Sequence, residues 1–201
     1  MHRILTLASL LAGLGLLQAQ ERLSREESLK YAFLVTADLT QLVGTPLTTD
    51  PDVKRPVVVR DGEYGAMLLP ESKLTAEQVA KAGKEPTAVG QLWLHKLAPL
   101  GDGQVVPEAK LRMVTVSGEG GSATVPQCAL GISKTESGGL ELLVFGKGKE
   151  PVLKAPLKEA VHKIEGSADL LAEKRDDGGL LTIRLCGKYE ASFMVTDPDR
   201  Y

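Results

Sequence analysis

The chain has 201 residues, with 24 basic and 26 acidic side chains, three histidines, two cysteines and 4% aromatics. So even a charge balance, without clustered Lys and Arg, leaves no electrostatic footprint for nucleic acid, and so few aromatics argue against a base-stacking surface. With so few His and Cys residues, a multi-ligand zinc centre is not expected.

The chain opens MHRILTLASLLAGLGLLQAQ, in which Arg3 and His2 precede an apolar stretch from Ile4 to Leu17, followed by the small residue Ala19. A charged start, a short apolar middle and a small residue at the cut are the layout of a secretory signal peptide. The stretch is short for a membrane-crossing helix, which takes about 20 apolar residues. Residues 1–19 are therefore expected to be a signal peptide and residues 20–201 an exported domain, with no transmembrane segment after cleavage. No cysteine stands near the cut to carry a lipid. The mature chain would retain 23 of the basic and all 26 acidic side chains. About 100–200 residues make one domain, so a single core is expected, with a possible subdivision near 118–124.

Ser24 and Glu27 have the spacing of a capping box, which would start a short helix. After it, Leu29, Tyr31, Phe33 and Val35 alternate with Lys30, Ala32, Leu34 and Thr36, which predicts a half-buried strand. Asp61-Gly62, between two apolar runs, predicts a hairpin. Thr75, with Gln78 three residues on and Gly83 beyond, marks the clearest helix. "VGQLWLHKLAPL" reads as one strand closed by Pro99, Gly101–Gln104 as a turn, "LRMVTV" as a strand, and Ser117–Ser122 as a flexible loop.

Further on, "GGLELLVFGKGKE" (Gly138–Glu150) is echoed forty residues later by "GGLLTIRLCGKYE" (Gly178–Glu190). Leu143 meets Ile183 and Phe145 meets Leu185 in this alignment. It predicts two similar three-stranded meanders, each with an acidic-Gly-Gly hairpin turn whose glycine has positive φ. A propeller is not indicated, because two blades cannot close a ring and nothing upstream matches.

Sequence signals for chemistry are few. H-E-x-x-H, C-x-x-C, the P-loop and G-x-G-x-x-G are all absent, and Gly131–Thr135 breaks the G-x-S-x-G pattern at its last residue. Thr49–Asp52 and Thr196–Asp199 both read TDPD. Oxygen-rich clusters suit calcium, but Asp-Pro is a turn signal in its own right. Gln91, Trp93 and His95 share one phase of a strand. On an exposed face they would receive a polar ligand such as a sugar, whereas Leu92 and Leu94 on the other phase favour a strand buried on both sides. Cys128 and Cys186 form an even pair in an exported chain, which favours a disulfide. Their opposite phases, read from the alternation of the flanking residues, favour two thiols instead.

The expected protein is mainly β, an antiparallel β-sandwich-like fold with one short helix. It is expected to be exported, to the periplasm or outside the cell. It would be non-enzymatic and without a cofactor, with an interaction or structural role toward an unknown protein or cell-envelope partner. The competing readings are a ligand-binding module for carbohydrate on the Trp93 row, and a hydrolase built from acidic residues.

Overall fold

A computed structural model describes residues 20–39, 47–118 and 121–200. Residues 1–19, expected from the sequence to be a signal peptide, lie outside them. The protein is mainly β, with one large antiparallel sheet curled into a half-barrel and two helices among the described residues.

The first helix is a correction. After the two-residue strand β1 (Glu21–Arg22), residues Arg25–Leu39 form helix α1 through the stretch read as a strand. The capping box does form: Ser24 Oγ accepts from the Glu27 amide at 3.3 Å and Glu27 Oε2 accepts from the Ser24 amide at 3.0 Å. Beyond it, Ser28, Ala32 and Val35 are buried and Leu39 packs beside them, which is the spacing of one helix face. The alternation that suggested a strand comes from Tyr31 and Phe33, which are exposed; Phe33 is 78% so. The buried face is small and partly polar, and the large apolar residues stand outside it, so hydropathy hid the period.

β2 (Val57–Asp61) and β3 (Tyr64–Pro70) form the expected hairpin, with Asp61 opposite Tyr64 and Gly62 at φ +60° in the two-residue turn. The second helix, α2 (Ala76–Ala80), has the capping box of Thr75 and Gln78. β4 (Thr87–His95) stops short of Pro99. Lys96 adopts φ +55°, and a separate strand β5 (Ala98–Gly101) leaves to pair with the far end of the sheet. β5 turns through Asp102-Gly103 into β6 (Gln104–Val105).

β7 (Arg112–Gly118) and β8 (Gly121–Lys134) are paired from Arg112↔Gln127 to Gly118↔Gly121. The stretch read as a loop is thus mostly ladder, with Ser117 Oγ 2.9 Å from Ser122 Oγ. β8 also pairs with β4 and with β9 (Leu140–Phe145). The sheet continues through β10 (Pro151–Glu159), β13 (Tyr189–Thr196), β12 (Gly178–Leu185) and β11 (Ala168–Arg175). The spatial order is β1-β2-β3-β4-β8-β9-β10-β13-β12-β11.

β10 explains why one curled sheet replaces the expected sandwich. It pairs with β9 through Leu157, then with β13 through Lys158 and Glu159, so the ladder is handed on around a corner without interruption. Curling brings β11 close to β2 and β3. Across the seam between the two edge strands, Arg22 Nη1 of β1 lies 2.6 Å from Asp169 Oδ1 of β11. The main core fills the hollow, with Leu68, Leu92, Leu130, Ile132, Leu170 and Ile183 essentially without solvent exposure. A second cluster lies on the outer face, where α1 packs on Val58, Met67, Leu69, Trp93 and Val125.

The forty-residue echo covers two three-stranded meanders, β8-β9-β10 and β11-β12-β13. They are not equivalent copies at that offset. In β9, Leu142 and Val144 point into the main core while Leu143 and Phe145 point outward beside Ala129. In β12, Leu181, Ile183 and Leu185 point inward. The residues matched in sequence, Leu143 with Ile183 and Phe145 with Leu185, therefore face opposite ways, as a one-residue slip in a period-2 strand requires. The turns differ as well. Lys134 pairs with Leu140 across a five-residue turn with Gly138 at φ +89°. Arg175 pairs with Gly178 across Asp176-Asp177, with Gly178 at φ +143° inside its strand.

Candidate functional site

The Trp93 row sits on the outer face of β4, beneath α1. Gln91 and Trp93 are buried, at 2% and 3% exposure, and His95 is exposed at the strand end. The Trp93 indole N–H donates to Gln91 Oε1 at 3.2 Å, and Gln91 Nε2 donates to Thr49 Oγ1 at 2.7 Å. The polar groups of Gln91 and Trp93 are thus engaged within the protein. Leu92 and Leu94 fill the main core on the other side, so β4 is covered on both faces.

Trp93 and His95 nevertheless line a groove of about 510 Å³ between α1 and the sheet; Gln91 does not. Its walls are Tyr31, Leu34 and Val35 from α1 and Met67, Trp93 and Val125 from the sheet. Charged and polar groups stand along its rim at Arg60, Glu63, His95 and Lys96, and Lys96 is ion-paired with Glu63. That pair holds the Lys96 ammonium above its ordinary range. Sequence reasoning found Trp93 and His95 but missed the groove, because its other wall is the helix misread as a strand.

A second cleft, about 420 Å³, opens where the seam parts, between the β2–β3 hairpin and the β11–β12 hairpin. Here Tyr64 Oη donates to Asp197 Oδ2 at 2.8 Å, joining residues 133 positions apart. This hydrogen bond is the main reason the Asp197 carboxyl lies below its usual range, and the same carboxylate raises Tyr64. Asp197 contributes stability above the ordinary carboxylate range that is lost as pH falls through its lowered folded value. Tyr64 contributes below the ordinary phenol range and loses that contribution as pH rises through its raised folded value.

In the first TDPD stretch Pro51 bridges to Glu71 and the turn follows at Val53-Lys54, while the second runs from the end of β13 into a short 3-10 helix, Pro198–Arg200; in both, the carboxylates bond neighbouring groups. Asp52 Oδ1 accepts from the Lys54 amide and Asp197 Oδ1 from the Asp199 amide, each at 3.0 Å. Asp50 Oδ2 accepts from Ser72 Oγ at 2.6 Å. Among the described residues, no group of three or more His, Cys, Asp or Glu is placed to hold a metal ion. A polar cluster that sequence reasoning missed lies beside β13, with His162 Nε2 2.7 Å and Arg184 Nε 3.6 Å from Glu190 Oε2.

Cys128 and Cys186 are free thiols. Cys128 is fully buried in β8, and burial pushes its thiol up to about 12. Cys186 lies just past β12, in the turn, at φ +52° and half-buried, with its thiol also raised by burial. Because the thiolate is the nucleophile, iodoacetamide at pH 8 should label Cys186 slowly and leave Cys128 untouched until the protein unfolds. Peptide mapping checks this; equal labelling in the native state would contradict it.

Fold and groove together define a mainly β half-barrel with a helix laid over an apolar channel on its outer face. No protein-family model, curated protein or solved structure matches the chain. No helix among the described residues is long and apolar enough to cross a membrane.

Proposed function

We propose that this is an exported, non-enzymatic binding protein of the periplasm or cell exterior, and that it holds a small apolar or amphiphilic molecule in the groove under α1. The reading of residues 1–19 as a signal peptide supports export. The observation that carries binding is the groove itself: about 510 Å³, walled by apolar side chains, with charges confined to the rim. Ligand sites of about 300–1,000 Å³ with mostly apolar linings and a few polar groups are the usual kind. An apolar ligand fits better than a sugar, because the one donor of Trp93 is already bonded to Gln91. The carbohydrate reading would need that bond broken and repaid by the sugar hydroxyls.

Titration of the mature protein with an anilinonaphthalene sulfonate dye, then with a medium-chain fatty acid as competitor, tests this through Trp93 emission. The expected result is a blue-shifted, quencher-resistant emission without ligand, a saturable change with dye, and reversal by the fatty acid. Leu34→Lys, a half-exposed groove wall, should weaken dye binding at least about tenfold, ~1.4 kcal/mol, with little change in melting temperature. A response to oligosaccharides alone would favour the carbohydrate reading, and silence toward all probes would favour a macromolecular partner.

A further inference from the structure

The residues under α1 continue past Trp93 in a row across the sheet. On the outer face, Val58 pairs with Met67, Met67 with Trp93, Trp93 with Gln127 and Gln127 with Arg112. Directly paired side chains share a face and stand about 5 Å apart, so these residues run side by side across β2, β3, β4, β8 and β7. Val58, Met67 and Trp93 lie under α1 and line the groove. Gln127 and Arg112, beyond them, are polar. Gln127 is 1% exposed, and both its Oε1 and its Nε2 are buried without a hydrogen-bond partner. Arg112 is half-buried, and its Nε is buried without a partner. It enters no ion pair among the described residues. Buried polar groups are nearly always hydrogen-bonded, so adjacent side chains with unmet donors and an unmet acceptor, next to an apolar groove, point to a ligand.

We propose that Gln127 and Arg112 are the head-group end of the site, and that the amphiphile is a hydroxy fatty acid. This inference rests on the reading of the groove as an amphiphile site. The acyl chain lies on Val58, Met67 and Trp93, and its carboxylate accepts from Arg112 Nε and Gln127 Nε2. A hydroxyl next to the carboxylate donates to Gln127 Oε1. The ligand class follows from the unmet atoms, which are a charged donor, a neutral donor and an acceptor. A fatty alcohol offers no anion to the guanidinium, and an ionised plain fatty acid offers no donor to Oε1. The charge-assisted bond to Arg112 is the stronger contact, while Gln127 separates one acid from another. Gln127 itself stands beyond the groove, past the wall residue Val125 on the same face of β8. Binding therefore lengthens the groove by one residue pair, past Val125 and its partner Val114, which pack in the same outer cluster.

The test titrates the purified protein at neutral pH with β-hydroxylaurate, laurate and lauryl alcohol, read by calorimetry and by Trp93 emission. β-Hydroxylaurate should bind about fivefold more tightly than laurate, the worth of one hydrogen bond, and lauryl alcohol should bind most weakly. Gln127→Leu should abolish the preference between the two acids. Its melting temperature should hold or rise, because an apolar side chain of similar size replaces an unpaired amide. Arg112→Met should weaken both acids at least about tenfold and leave lauryl alcohol unchanged. Equal affinity for the two acids, or variants that keep the parent's preferences, would overturn the head-group assignment. Continued binding of dye and lauryl alcohol in that case would leave the groove reading standing. A Gln127→Leu protein that fails to fold would show the amide to be held from within the chain, which also overturns the assignment. Silence toward every probe would overturn both readings.

Discussion

Replacing Gly178 by valine should destabilise the protein far more than replacing Gly138, although sequence reasoning treated the two glycines as equivalent. Both have positive φ, +143° and +89°, and a β-branched residue there is strained by about 1–3 kcal/mol. Only at Gly178 does the backbone of a neighbour close in. A Cβ there would lie 2.2 Å from the Val195 carbonyl oxygen, while at Gly138 the nearest atom is Lys134 Cε at 3.9 Å. The contact at Gly178 is with β13 backbone, which cannot move without disturbing the ladder, so overpacking adds about another 1–3 kcal/mol. Set against a typical total stability of about 5–15 kcal/mol, Gly178→Val is expected to remove a large share or prevent folding, and Gly138→Val to be tolerated. Lys147→Ala and Lys188→Ala should stay within about 0.5 kcal/mol of the parent. Urea midpoints compare the four variants. Equal loss at the two glycines would mean that the approach of Val195 to Gly178 does not govern this end of the sheet.

Arg22→Ala is the second large effect. The Asp169 side chain is 7% exposed; it is ion-paired with Arg22 Nη1 at 2.6 Å and accepts a hydrogen bond from the Leu170 amide at 3.0 Å. Without Arg22 a buried carboxylate keeps a single backbone donor, a loss of about 1–3 kcal/mol. The figure sits at that level rather than higher because Arg22 itself is 47% exposed and partly screened by solvent. Pairing Arg22→Ala with Asp169→Asn should recover part of the loss, since a buried amide tolerates a missing cation better than a carboxylate does. The local consequence is also measurable. β1 is two residues long, so its amides should exchange faster with solvent once its tie to β11 is gone. A cycle with no coupling, or unchanged exchange at Glu21–Leu23, would show that the seam is held by core packing alone.

These two sites also mark the boundary between what could be read locally and what could not. The Ser24–Glu27 and Thr75–Gln78 capping boxes and the Asp61-Gly62 hairpin were legible because each is settled by residues within a few positions of one another. The burial of Trp93 was legible as the packing alternative, since Leu92 and Leu94 alternate with it. α1 was not, because its buried face is Ser28, Ala32 and Val35 while Tyr31 and Phe33 stand in solvent. Losing α1 meant losing the groove, of which it forms one wall.

The sequence by itself determined that the chain is mainly β, where its tight turns and helix starts fall, and which strands carry an alternating apolar face, because those signals depend on φ preferences and short-range hydrogen bonds. Only the tertiary structure decided that one sheet curls rather than two sheets stack, since this rests on β10 exchanging one partner strand for another along its length. It also decided the phase of the echoed strands, where a one-residue slip reverses every side chain while leaving the apolar pattern readable. The seam contacts, Arg22 with Asp169 and Tyr64 with Asp197, join residues that no local pattern links. They form because closing the half-barrel buries the apolar hollow and sets its edges side by side, a gain that belongs to the whole sheet and to no segment of it.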